Sequence, residues 1–282
     1  MNRPARNSLL CPNCRKLISV DEKHCPHCGI PAPGSRWKNS PLTRGWGSGE
    51  SIVRLIIYVN IGMFLISVLI DPRSLSMGFN PLRFFSPSTR SLEVLGATGT
   101  RMFYLTSGWW TLVSANYLHG GLLHIFFNLL VLYQISPLIT QIYGPYRYFI
   151  IYTVSGILGF FVSLLFGVSL TIGASASLCG LIGAAIYYGK SRGGPFGQAV
   201  YRQIGVWALA ILLLGFLWPG INNYAHIGGM ASGALGGLVL GYNDKAREGF
   251  LHRALAGACA VLTVLVLLWS LWRALQFVLG GF

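Results

Sequence analysis

Seven apolar stretches, each close to twenty residues, recur along this chain at about 53–70, 121–143, 146–167, 173–189, 203–220, 224–242 and 254–279. No other feature restricts the fold as much. In a hydrocarbon layer ~30 Å thick, backbone N–H and C=O groups find no water, so an isolated apolar stretch must bond its own backbone as an α-helix. Over 282 residues the chain is 53% hydrophobic and 10% charged, well below the roughly 25% charge of soluble domains. The first stretch lies behind a polar, cysteine-bearing segment and lacks a small-residue cleavage site, so it is not a signal peptide. The expected fold is an all-α polytopic membrane protein.

A net charge of +14 would suit a nucleic-acid partner, but its distribution points elsewhere. With the N-terminus in the cytosol, sixteen of the 21 Lys and Arg residues fall on inner segments, leaving only Arg73, Arg83, Arg90, Arg101 and Arg273 outside. That is the positive-inside bias. It predicts a cytosolic N-terminus, an external C-terminus and no nucleic-acid partner.

Ahead of the spans, residues 11–28 read CPNCRKLISVDEKHCPHC. Two C-P-x-C knuckles present Cys11, Cys14, Cys25 and Cys28 as four thiolates suited to tetrahedral Zn²⁺. So short a segment cannot bury a core, and the metal would supply its folding energy. Disulfides or redox pairs are the competing readings, and a cytosolic location disfavours disulfides. His24 and His27 are read as bystanders. Residues 1–30 are therefore expected to form a cytosolic zinc ribbon with structural Zn²⁺. Residues 31–52 read as a basic Pro/Gly/Ser linker, with Trp37 and Trp46 at the headgroups. Cys179 and Cys259 fall within spans and read as small packing residues.

Polar residues inside spans are candidate functional groups. Three segments carry them: YLHGGLLHIFFNLL with His119, His124 and Asn128; TIGASASLCGLIGA with Ser175 and Ser177; and NNYAHIGGMASGALGG with His226. These segments open the second, fourth and sixth spans, all running from outside to inside. His124, Ser175 and His226 each fall in the first turn, roughly 5 Å below the outer end at 1.5 Å per residue. Asn128 lies one turn deeper on the face of His124. Small residues at four-residue intervals predict a close crossing: Gly229, Gly233, Gly237 and Gly241 on the sixth span, with Ala176, Gly180 and Ala184 on the fourth. That crossing is also what a Ser175–His226 hydrogen bond requires.

A serine beside a histidine base is a nucleophile. The chain has seven acids, Asp21, Glu22, Glu50, Asp71, Glu93, Asp244 and Glu248, none within a span near His226. This argues for a Ser–His dyad without an orienting acid. It excludes a protease with paired membrane aspartates and disfavours a proton-coupled transporter, which ordinarily carries membrane carboxylates. No H-E-x-x-H occurs, which excludes a zincin site. The His124 ring N–H, the Asn128 amide and the Ser175 backbone N–H are candidate oxyanion donors.

At these residues the sequence resembles the rhomboid family of intramembrane serine proteases. GASAS resembles the family's G-x-S-x motif at Ser175, AHIGG its sixth-helix motif at His226, and HGGLLHIFFN its H-x-x-x-N motif at His124 and Asn128. GWW at 108–110 resembles the start of the first-loop signature. Ala176, Thr111 and Cys179 depart from the usual glycine, arginine and aromatic. The resemblance implies a six-helix core over 53–243 and a seventh helix within 244–282, the six-plus-one arrangement. It also implies hydrolysis of peptide bonds in or near transmembrane segments of protein substrates through an acyl-enzyme, without a catalytic cofactor. The expected setting is the lipid bilayer of a bacterial plasma membrane, with a cytosolic protein as a further partner of the ribbon. The alternative is a catalytically impaired rhomboid-like protein that binds or escorts membrane clients.

Overall fold

A computed structural model describes residues 8–11, 16–27, 32–35, 49–72, 85–105, 108–218 and 220–280, in two units, Met1–Ile52 and Val53–Phe282. In the first unit, β1 (Ser8–Leu10) and β2 (Leu17–Ser19) pair antiparallel, with Leu9 opposite Ile18. Strands this short do not make a stable hairpin in water. Their apolar cluster is Cys11, Ile18 and Cys25, with Leu9 against it. Cys11 and Cys25 are 0% and 2% exposed, and the Cys11 N–H donates to the Lys16 carbonyl at 2.7 Å. Cys14 and Cys28 lie outside the described residues, as do Trp37 and Trp46. Among the described residues no three potential metal ligands converge.

The second unit is helical. Its long helices are α1 (Gly49–Leu69), α5 (Leu122–Tyr143), α6 (Pro145–Leu165), α7 (Ser175–Arg192), α8 (Gly194–Leu217), α9 (Asn223–Leu240) and α10 (Phe250–Val278). Between α1 and α5 lie α2 (Thr89–Leu95), α3 (Thr100–Leu105), α4 (Thr111–Ser114) and a 3₁₀ turn, Ala115–Tyr117. Among the described residues five helices, α1, α5, α6, α8 and α10, are long and apolar enough to cross a membrane. This is a multi-pass membrane protein.

The other two expected spans, α7 and α9, are helices of 18 residues each, rich in Gly, Ala and Ser. At 1.5 Å per residue each is about 27 Å long. The composition of α7 reflects where it sits. α7 buries twelve residues among its neighbours and meets little that is not protein. α8 starts at Gly194, earlier than the apolar run suggests, because Gly193 turns the chain at φ +67° and Pro195 opens the helix.

The small-residue stripes do bring α7 and α9 together, though not as one continuous groove. A Cβ on Gly229 or Gly233 would strike the carbonyl oxygens of Ala176 or Gly180, and one on Gly183 would strike that of Met230. Gly237 instead faces the Tyr143 hydroxyl of α5, and Gly241 ends α9 at φ +67° with nothing close by. Tyr143 donates to the Ala184 carbonyl at 2.8 Å, closing the lower part of this crossing.

A buried cation holds the connection from α9 to α10. Arg147, 0% exposed, donates from Nη2 to the Ala246 carbonyl at 2.8 Å and from Nη1 to Asn243 Oδ1 at 3.3 Å. Glu248 accepts the Arg147 backbone N–H at 2.7 Å, occupying the exposed N–H groups at the start of α6. Burial raises the Glu248 carboxyl above its ordinary range.

Candidate active site

The segment leading into α7 is pinned before the helix begins. Thr98 and Thr171 exchange backbone hydrogen bonds at 3.1 and 2.6 Å, and the Thr100 N–H reaches the Val168 carbonyl at 2.9 Å. The Gly173 N–H donates to the Ala115 carbonyl at 2.8 Å. The loop between α1 and α5 thereby fixes the chain on the N-terminal side of Ser175. That loop is itself packed from within. Thr111, where the family pattern has arginine, is fully buried, 2.9 Å from the Thr98 hydroxyl and 2.5 Å from the Gly108 carbonyl. Trp110 packs with Val113 and with Val266 of α10, beneath the Arg273 guanidinium.

Ser175 is the first residue of α7 and is partly accessible, while His226, in the first turn of α9, is 5% exposed. His226 Nε2 lies 3.0 Å from Ser175 Oγ. That is hydrogen-bonding distance for proton transfer from serine to imidazole. Among the described residues, His226 Nδ1 is buried with no hydrogen-bond partner, so no acid orients the ring. Glu93, one of the two acids between α1 and α5, pairs instead with Arg101 at 3.7 Å.

His124 lies beside Gly173. Its Nδ1 accepts the Gly120 N–H at 3.2 Å, which puts the ring proton of the neutral imidazole on Nε2. A Cβ built on Gly173 would meet His124 Nε2 at 2.7 Å and Ser175 Oγ at 3.8 Å. His124 Nε2 and Ser175 Oγ thus border one small space left open at Gly173. Gly173 sits at φ +119°, and only glycine leaves that space open. Asn128 donates from Nδ2 to the His124 carbonyl at 2.8 Å, so one of its two amide protons is committed to its own helix. His119 is fully buried, its ring edge-on to His124 at 5.1 Å.

The structure therefore brings Ser175, His226 and His124 together, with Asn128 one turn along α5. Ser177 serves elsewhere: buried, it donates to Asn116 Oδ1 at 2.9 Å and ties α7 to the 3₁₀ turn. Asn222, which the sequence motifs do not flag, caps α9 by accepting the Ala225 N–H at 3.1 Å. The available signal was an asparagine directly before the apolar run, the ordinary mark of a helix N-cap.

Residues 106–243 match the family described as Rhomboid domain. The chain is 31% identical over 156 residues to Rhomboid protease GluP of Bacillus subtilis (strain 168), covering 55% of this chain and 31% of that protein. It is 30% identical over 219 residues to RHOMBOID-like protein 2 of Arabidopsis thaliana, covering 68% of this chain and 69% of the relative. A third relative, Inactive RHOMBOID-like protein 8 of the same plant, is 31% identical over 176 residues, covering 61% of this chain and 49% of the relative. The chain thus spans under a third of the bacterial relative's length and about half of the third relative's.

Proposed function

The chain belongs to the rhomboid family, and on that premise we propose that it is an intramembrane serine endopeptidase acting on transmembrane segments of protein substrates. The observation that carries this reading is the 3.0 Å contact between Ser175 Oγ and His226 Nε2. In the proposed reaction His226 Nε2 takes the Ser175 hydroxyl proton as Oγ attacks the scissile carbonyl carbon. The negative charge that develops on the carbonyl oxygen is met by His124 Nε2–H and the Ser175 backbone N–H, with the second Asn128 amide proton available. His226 then gives its proton to the departing amine as the C–N bond breaks, and water releases the acyl group by the same exchanges in reverse. The test is a fluorophosphonate probe on the purified protein, with the adduct mapped by peptide mass spectrometry. A single adduct at Ser175 is expected; labelling elsewhere, or none, would favour a client-binding rhomboid relative without hydrolytic activity.

The dyad reading makes a quantitative claim about acids. Removing the acid of a true triad costs roughly 10⁴ in kcat. Asp71→Asn and Glu93→Gln are each expected to change kcat by less than about tenfold, and a loss near 10⁴ in either would make that residue a triad member.

The first unit is proposed to be a ribbon holding structural zinc on Cys11, Cys14, Cys25 and Cys28. In support, Cys11 and Cys25 share one buried cluster with almost no apolar surface to stabilise it. Elemental analysis is expected to find about one zinc per chain, lost in a Cys11→Ser/Cys14→Ser variant. Every residue of the proposed active site lies in the Val53–Phe282 unit, so that variant should still be labelled at Ser175 at the wild-type rate. We place the ribbon and N-terminus in the cytosol, the C-terminus outside and the protein in a bacterial plasma membrane, with a cytosolic partner for the ribbon.

A further inference from the structure

We infer that Asn222 is the positioning residue that sets the distance between nucleophile and base, in place of the acid that a triad would use. The inference rests on the Ser175–His226 reading and extends it. The Asn222 amide bonds in three directions at once. Oδ1 accepts the Ala225 N–H at 3.1 Å, while Nδ2 lies 2.6 Å from Ser163 Oγ and 3.0 Å from Thr171 Oγ1. The Asn222 backbone carbonyl also accepts the His226 N–H at 3.2 Å. Each arm leads to a different part of the site. Ala225 and His226 open α9, which carries the base. Thr171 lies four residues before Ser175, on the segment bridged to Thr98. Ser163 belongs to α6, which packs against both α7 and α9. One side chain therefore joins the approach to the serine with the cap of the histidine helix. It touches neither catalytic group.

An ordinary N-cap would account for the Ala225 bond alone. Serine caps helices about as well as asparagine, but it is too short to hold all three partners. Asn222→Ser thus separates the two roles. Positioning predicts that Asn222→Ser slows fluorophosphonate labelling of Ser175 by about 10–100-fold, and lowers kcat on a transmembrane substrate by the same factor with KM unchanged, because small displacements of reacting groups weigh heavily on rate. Thr171→Val, which removes one arm only, should reproduce part of the loss. The double variant Asn222→Ser/Thr171→Val should be no slower than Asn222→Ser, since the shared contact is lost once.

Tyr143→Phe, which deletes a buried hydrogen bond at the lower end of α7, is the control for general loosening and should label at nearly the wild-type rate. Labelling of Asn222→Ser within twofold of wild type would overturn the inference, as would losses that multiply in the double variant or an equal loss in Tyr143→Phe. A wild-type protein left unlabelled would overturn the nucleophile assignment itself, and this inference with it.

Discussion

Replacing Ser175 by alanine is expected to reduce cleavage of a model transmembrane substrate to background, a loss on the order of 10⁶-fold in kcat, and His226→Ala should match it because the two groups act as a unit. The basis is geometric: Ser175 is partly accessible at the head of α7, and the His226 imidazole nitrogen lies within hydrogen-bonding reach of it. Ser177→Ala should retain most activity. It deletes one buried hydrogen bond to Asn116, worth about 1 kcal/mol of stability, and leaves the reacting atoms where they are. Asn128→Ala should fall between these extremes, losing about 10–1000-fold as one oxyanion donor goes. Cleavage assayed on gels with purified variants, each checked for folding, decides the matter. An active Ser175→Ala together with an inactive Ser177→Ala would reverse the assignment.

The second large effect is steric. Gly233→Val would place a branched side chain against the Gly180 carbonyl and Cα, backbone atoms that cannot turn aside. Overpacking of this kind costs about 1–3 kcal/mol or more. It can be relieved only by moving α9 away from α7, and a shift near 1 Å between catalytic groups can cost on the order of 10² in rate. The variant should therefore unfold at a clearly lower temperature in detergent and label at Ser175 at least about 100-fold more slowly. Gly236→Ala, on the same helix, supplies the contrast: its Cβ would meet only Ile151 Cγ1 at an ordinary 3.5 Å, and it should behave as wild type. A Gly233→Val protein with unchanged unfolding and labelling would mean that α7 and α9 do not approach as described.

Much of this arrangement could be read from the sequence because membrane topology converts position along the chain into depth. His124, Ser175 and His226 each open a segment running in the same direction, and that alone puts them at one level. The four-residue spacing of Gly229 and Gly233 then names the helices that touch, since only hydrogen side chains let two backbones meet. What could not be read is set by contacts between distant segments of irregular chain. The Thr98–Thr171 backbone bridge, the Asn222 amide and the Ser177–Asn116 bond leave no periodic trace in the sequence. The same limit explains Gly241: it continues the four-residue pattern, but there the glycine turns the chain at the end of α9. The apolar count also treats α7 like its neighbours, although a helix sheathed in protein need not be as greasy as those facing lipid.

The Arg147 cluster bears on the order in which the protein can be completed during synthesis. Its guanidinium is held by Asn243 and Ala246, and its helix start by Glu248, which follow Arg147 by 96, 99 and 101 residues. Without those residues, burying the Arg147 charge costs several kcal/mol, so the corner cannot close favourably before they are in place. The corner therefore closes only when chain about 100 residues beyond Arg147 folds back onto it, and α10, which follows that chain, packs on Trp110 of the loop that steadies Ser175.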